Sequence, residues 1–331
     1  MHFWNPATFR EQGLDELDCK ILYALDCDCR QSNAAIGKQL RTNKNVVNYR
    51  INKLLENGFI DRFYAVVDAP RLGLQSFRIY LKFCTLDEQK RQEIISYVTG
   101  TRKVWWSGNI DGQFDFGFLV WVKDTYEFKD FWLEFLARFQ DRVENALISI
   151  YTGLYTYTNA FLLPLPQETR ERPFQVVGAA FGHVEISETD RKVLSHLTLH
   201  ARDPIVSIAK RLGLSPVSVR HAMKKLEKLG IVLAYRAQIN FSKLGYTMYK
   251  LNLRLKNRSK VKSLQEFART CPSIVYTNEA VGFADFEVEL FVQTYDQFQA
   301  VRAALLALAG DTLAAYTHFI YYKVHDVQYF P

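Results

Sequence analysis

Apolar residues recur along this chain first with the 3.6-residue period of helices and then with the 2-residue period of strands, and the whole alternation occurs twice. Leu22, Leu25, Val47, Ile51 and Leu54 fall on helical faces in the first stretch; Leu194, Leu197, Val219, Met223 and Leu226 do so in the second. Strand alternation follows at Phe77, Ile79, Leu81 and Phe83, and again at Tyr249, Leu251, Leu253 and Leu255. Asp18 to Phe83 lies against Asp190 to Leu255 without a gap, at a constant offset of 172 residues. Leu72-Gly73 meets Leu244-Gly245, and Arg30 meets Arg202. Solenoid repeats recur every ~20–50 residues, so these are two copies of a larger unit, each long enough for one or two small domains.

Capping signals divide each helical stretch into three. Asp203-Pro204 pairs an N-cap acid with a proline at the first helical position and opens a helix to Leu212, whose counterpart covers Asn33 to Leu40. Ser215-Pro216 is a second such pair, matched by Asn43, and Gly58 and Gly230 stop the third helices as C′ glycines. A strand pair is expected next, at Phe59–Val67 and Ile231–Ile239. Helix, helix, four-residue turn, helix and strand pair predict a winged helix-turn-helix over 14–68 and again over 185–241.

Behind each head the pattern predicts strand, helix, two strands about a tight turn, helix and strand. The helices fall at Asp87–Gly100 and Thr125–Phe139, then at Ser259–Cys271 and Thr294–Ala309. That order is a ferredoxin-like βαββαβ domain at 74–162 and 246–331, so the fold class is α+β, with helices on one face of an antiparallel sheet. The other face needs cover, which the second copy's sheet supplies. Residues 163–184, opening Leu163-Pro164-Leu165-Pro166, lack a period and are expected to be a linker over the surface.

A composition of 48% hydrophobic and 23% charged residues excludes disordered and fibrous classes. The start shows no leader pattern, and runs such as Phe116–Val122 fall far below the ~20 apolar residues of a membrane span, so a cytoplasmic setting without a membrane partner is expected. The net charge of +7 is uneven. Leu14–Asp68 carries eight bases and eight acids, whereas Ile186–Phe241 carries ten bases and four acids, and this second excess suits a polyanionic partner. The five cysteines form no disulfide framework, and Cys27-Asp28-Cys29 lacks further ligands at metal-binding spacing, so no cofactor or metal is expected.

The outward face of the third helix is the one that enters a major groove in this motif. It shows Asn45, Asn48, Tyr49 and Asn52 in the first copy, and Val217, Arg220, His221 and Lys224 in the second. Asn and Arg can pair bidentately with adenine and guanine edges, while Lys53 and Lys225 suit phosphates. Asn43, Lys44, Arg50, Ser215 and Ser218 complete the candidate DNA-binding set. The turn between the middle strands repeats as Gly112-Gln113-Phe114-Asp115-Phe116 and Gly282-Phe283-Ala284-Asp285-Phe286. Plain turn chemistry explains such a motif, but its recurrence at the rim of the sheet makes Gly112, Asp115, Gly282 and Asp285 candidates for lining an effector site.

With these motifs the chain resembles the Lrp/AsnC, or feast/famine, family of bacterial and archaeal transcription regulators. The likeness rests on Leu17-Asp18, the run Leu214 to Val219, Val47-x-x-Arg50-x-x-x-Leu54-x-x-x-Gly58-x-Ile60, Leu72-Gly73 and the two G-x-x-D-F turns. Family members usually carry one copy and pair through ferredoxin-like domains that bind an amino acid or similar effector at the subunit interface. The resemblance therefore implies a covalent pseudo-dimer on double-stranded DNA, with further homo-oligomers open. Two departures stand out: Ala222 replaces Arg50 in the second copy, and Thr42-Asn43-Lys44 replaces the usual Leu-Ser-Pro in the first. Each half then reads its own half-site, or one half alone reads DNA.

Two alternatives remain at this point. Siroheme decarboxylases resemble the same architecture, but they need a tetrapyrrole cleft with bases and histidines. Here His183, His196, His200 and His221 fall on the linker and second head, and His318 and His325 have no counterparts in the first copy. A protein that senses an effector without binding DNA is the other, motivated by the neutral first head.

Overall fold

The computed structural model describes residues 6–85, 87–163, 172–325, 327 and 330; Pro164 and Pro166 of the linker lie outside the described residues. After α1 (Pro6–Glu11), the first head comprises α2 (Glu16–Cys27), α3 (Asn33–Gln39), α4 (Lys44–Glu56) and β1 (Ile60–Val67). Asp15 and Asp18 form a capping box on α2, Ser32 and Asn43 cap α3 and α4, and Gly58 ends α4 at a left-handed φ of +67°. The first ferredoxin-like unit is β2 (Gln75–Phe83), α5 (Glu88–Gly100), β3 (Val104–Asp111), β4 (Phe116–Val122), α6 (Thr125–Phe139) and β5 (Val143–Tyr157), with β6 (Phe174–Val177) after it. The second head is α7 (Glu188–His200), α8 (Ile205–Leu212), α9 (Pro216–Lys228) and β7 (Val232–Ile239). The second ferredoxin-like unit is β8 (Thr247–Leu255), α10 (Val261–Thr270), β9 (Ile274–Val281), β10 (Phe286–Val292), α11 (Tyr295–Ala309) and β11 (Leu313–Val324).

Three expectations are corrected. Asp203 is not the cap of α8, whose N-cap is Pro204; its carboxylate instead meets His196 Nε2 at 3.1 Å. Each copy supplies one wing strand rather than two, and the pair forms between copies, β1 antiparallel to β7. Apolar alternation cannot say which strand is the neighbour. Over its described residues 172–184 the linker is more than a strap over the surface: β6 pairs with the end of β5, and the Gly178 amide donates to Asp68 Oδ1 at 2.7 Å. Arg172 beside it is buried with no carboxylate partner among the described residues. Its guanidinium donates to six backbone carbonyls, among them Ala268, Cys271 and Ile274 at 2.7–2.8 Å, where the end of α10 presents unpaired acceptors.

The heads interlock. Tyr64 faces Arg236 in the wing pairing, and these are equivalent residues under the 172-residue offset, so a local twofold axis passes between them. Ala237 and Ile239 complete the core of the first head, and Ala65 and Val67 that of the second. Arg30 donates to the carbonyl of Ala201 while Arg202 donates to that of Cys29, a reciprocal clamp at equivalent positions. Asp26 of α2 and Arg236 of β7 form a buried ion pair at 2.6 Å.

The ferredoxin-like sheets do more than cover each other. Their edges join as β3–β11 and β5–β9, and with the β2–β5 pairing the order β2-β4-β3-β11-β8-β10-β9-β5 closes into a barrel. The helices pack outside it, through Ile94, Val98 and Phe135 in one half and Leu264, Phe298 and Leu305 in the other. Inside lies a buried ionic cluster. Arg78 binds Glu287 bidentately at 2.5 and 2.7 Å, and Lys250 reaches Glu287 at 2.9 Å and Glu289 at 2.7 Å. Burial alone would raise the Glu287 pKa, but the two cations pull it down to about 2.

Candidate nucleic-acid interface

Each third helix turns one stripe inward, Val47, Ile51 and Leu54 on α4 and Val219, Met223 and Leu226 on α9, all buried. The opposite stripe is therefore presented outward. Lys44, Asn45, Asn48, Tyr49, Asn52 and Lys53 are exposed on α4, and Val217, Arg220, His221 and Lys224 on α9. Neither face is covered by the described residues: Tyr49 is 65% and Val217 62% exposed. Asn48 Oδ1 accepts from Asn33 Nδ2 of α3 at 3.0 Å, which holds its amide in place.

The remaining candidates have work within the fold. Asn43 Oδ1 accepts from the amides of Asn45 and Val46 at 3.0 and 2.9 Å, and Ser215 Oγ from that of Ser218 at 3.0 Å, with the Ser218 hydroxyl 2.9 Å from it. Arg50 is turned inward, with Nη1 2.7 Å from Asp15 and 2.9 Å from Asp18, so its charge is taken up by the capping box of α2. Lys225 does the equivalent task in the second head, 2.5 Å from Asp190. Ala222 at the place of Arg50 is buried, and the ion pair is rebuilt from a position one turn later. Arg50 thus leaves the outward set, while Lys225 stays exposed with its ammonium on Asp190.

Sequence reasoning missed Arg41, exposed between α3 and α4 at a φ of +56°, where the equivalent residue is Gly213 at +65°. The signal was present in the alignment of the copies, since a glycine at that offset marks left-handed backbone. The neutral charge sum of the first head also hid its distribution: Asp15 and Asp18 are tied to Arg50, Glu16 to Lys20 and Asp26 to Arg236. Lys38, Arg41, Lys44 and Lys53 are exposed.

The G-x-x-D-F turns are closed by their own chemistry. Asp115 accepts from the Phe83 amide at 2.8 Å and pairs with Lys82 at 3.1 Å; Asp285 accepts from the Leu255 amide at 2.7 Å. Gly112, at a φ of +141°, lies where a Cβ would be 2.8 Å from Phe319 Cβ of the other half, and Gly282 at +112° packs near Ile148. These carboxylates therefore brace neighbouring strands within their own halves, while the turn glycines pack against the other half. The space that is open lies elsewhere. Between the wing strands and the mouth of the barrel is a cavity of about 640 Å³, walled in part by Tyr64, Tyr80, Trp106, Tyr276 and Tyr321. Its arginines are paired, Arg78 with Glu287 and Arg236 with Asp26, and His325 Nε2 shares a hydrogen bond with Asn109 at 2.8 Å. Charged residues at inward strand positions were the sequence's hint of it.

The thiols of Cys27 and Cys29 are pushed up by burial, to about 11 and about 12, and among the described residues no three His, Cys, Asp or Glu side chains group as metal ligands. No helix among them is long and apolar enough to cross a membrane.

Known proteins place this geometry. The winged helix-turn-helix DNA-binding family matches residues 14–61 and again 186–232. The HTH-type transcriptional regulator LrpA of Pyrococcus horikoshii is 44% identical over 63 residues, 19% of this chain and 45% of that one, so the chain spans under half of its length. The leucine-responsive regulatory protein of Rhizobium meliloti is 32% identical over 120 residues, 35% of this chain and 76% of that one. The chain belongs to the Lrp/AsnC family. Its two heads and two ferredoxin-like units are a tandem duplication of the Lrp/AsnC unit. Over its whole length the fold is also that of the siroheme decarboxylase NirDL, with a TM-score of 0.63 at 14% identity, covering 96% of this chain and 95% of the other. At that identity the likeness is one of fold.

Proposed function

We propose that this chain is a sequence-specific DNA-binding transcription regulator, a covalent pseudo-dimer whose two heads engage one duplex. The observation that carries the reading is the outward pair of third helices, related by the local twofold axis and flanked by Arg41, Lys44, Lys53, Arg220 and Lys224, all exposed. A twofold pair of recognition helices is the arrangement that meets two half-sites of B-form DNA. An amino acid or similar effector would act through the cavity beneath the wing strands, since the turn carboxylates are occupied.

The test is binding of the full chain to DNA from upstream of its own coding sequence. With about four phosphate contacts, affinity should fall ~100-fold between roughly 50 and 200 mM salt. Arg220→Ala with Lys224→Ala should weaken binding at least ~10-fold; unchanged binding would remove the second head from the role.

One observation favours a second reading, the whole-length fold match to a siroheme decarboxylase. The cavity lining supports it less, because a substrate rich in carboxylates needs several free cations, and with both cavity arginines paired the lining leaves Lys323 at its rim as the cation outside those pairs among the described residues. Purified protein incubated with siroheme should leave it unchanged, and loss of carboxylates would favour the enzyme.

A further inference from the structure

We propose, resting on the DNA-binding reading, that the target is a non-palindromic site: one half-site presents adenine to α4, and the other presents thymine and guanine to α9. The starting point is the symmetry of the heads. The wing pairing and the Arg30 and Arg202 clamps relate them by a local twofold axis. Each head also borrows a strand of the other for its core, so the distance between α4 and α9 is set by packing and not by a tether. In a reader with identical halves such an arrangement matches a palindrome with a fixed half-site spacing.

The side chains break that symmetry at successive outward positions. Where α4 has Asn45, Asn48 and Tyr49, α9 has Val217, Arg220 and His221. These lie in the first two turns of their helices, the part of a recognition helix that contacts base edges. A carboxamide matches the N6 donor and N7 acceptor of adenine, a guanidinium matches O6 and N7 of guanine, and an exposed aliphatic group packs on the thymine methyl. Asn48 is oriented in advance by Asn33, which lowers the cost of immobilising it on a base. Arg220 is exposed and takes part in no ion pair among the described residues, so its fork is available. Further along, Asn52 stands against Lys224 and Glu56 against Lys228, which extends the contrast in charge without adding base readers.

Selection from random duplexes by the full chain, followed by sequencing, tests this. The wild type should select two unlike half-sites at one fixed spacing, and insertion of half a helical turn between them should abolish binding. Asn45→Val, Asn48→Arg and Tyr49→His together give the first head the readers of the second, so this variant should select an inverted repeat of the thymine- and guanine-bearing half. Arg220→Ala should lower discrimination at its guanine by ~10- to 100-fold and leave the other half-site's preference unchanged; this single change carries the test if the triple variant does not fold by its melting curve. A palindrome selected by the wild type would overturn the proposal, as would salt-dependent binding without sequence preference. The palindrome leaves sequence-specific DNA binding standing, whereas binding without preference reduces that reading to non-specific DNA binding. No binding to any duplex at low salt would sink both.

Discussion

In the barrel, the charged positions at which the two copies differ are buried and complementary; on the outward stripes of the third helices the differing positions are exposed. Arg78 and Lys250 are equivalent, but Glu287 and Glu289, which neutralise both, have Gly117 and Leu119 as their counterparts. Two first halves together would enclose two arginines without a carboxylate, and two second halves four carboxylates against two lysines. The barrel therefore specifies that unlike halves pair, a cost of unmatched charge that disfavours the alternatives. On the third helices the inward stripes remain apolar in both copies, and the differences at Asn45, Asn48 and Tyr49 against Val217, Arg220 and His221 fall on exposed faces. Buried divergence binds the halves together, whereas exposed divergence leaves the fold alone and is free for a ligand to read.

The most direct way to break this contrast is inside the barrel. Glu287→Ala leaves Arg78 and Lys250 buried against Glu289 alone and should cost about 3–5 kcal/mol in urea unfolding at neutral pH. The folded-state pKa of Glu287, about 2, lies below its ordinary value, so its contribution is full above the carboxylate range. It should fade as pH drops from about 4.5 toward 2, and Glu287→Gln should remove that part of the acid sensitivity. A variant losing under ~1 kcal/mol would show that the cluster is not what joins the halves. Next in size is Arg172→Met, which strips donors from the carbonyls at the end of α10 and should cost about 2–4 kcal/mol by the same measurement. Neither change touches the heads, so sequence preference in a DNA selection should stay as it was.

How much of this was legible in the sequence follows the same division. The duplication, the head helices and the ferredoxin-like order could be read because caps and periods are local signals: Asn43, Ser215, Gly58 and Gly230 all sit where their chemistry requires. The cross-copy pairing of β1 with β7 was hidden, because alternation fixes a strand's faces and not its neighbour. Arg50 joined the candidate DNA-binding set through its place in the motif; the acids that claim it lie 35 and 32 residues away. Asp115 and Asp285 were ambiguous for a related reason, since a turn aspartate serves a ligand or its own backbone with the same residue type. The cavity needed the barrel to close before it existed.

Sharper contrasts come from the inner edges of the heads. Arg50→Ala releases Asp15 and Asp18 and should destabilise by about 0.5–1 kcal/mol, discounted for partial exposure, without altering the selected DNA sequence. Lys225→Ala should do the same in the second head, because Asp190 there plays the part of Asp18. A shift in base preference from either would return that residue to the reading face.

The smallest effect is expected at Arg41, and it separates backbone from side chain. A non-glycine residue in left-handed backbone costs roughly 1–2 kcal/mol, and glycine's extra freedom in the unfolded chain gives back roughly 0.5–1 kcal/mol of that advantage. Arg41→Gly, which copies Gly213 of the second head, should therefore stabilise the protein by about 0.5 kcal/mol. If Arg41 holds a phosphate, the same substitution should weaken DNA binding uniformly across sequences and reduce the salt slope by about 1. Stability and affinity would then move in opposite directions, the signature of a residue kept in strained backbone for what its side chain contacts. If both readouts stay put, the left-handed turn is a local accommodation, and the first head draws its phosphate attraction from Lys38, Lys44 and Lys53 alone.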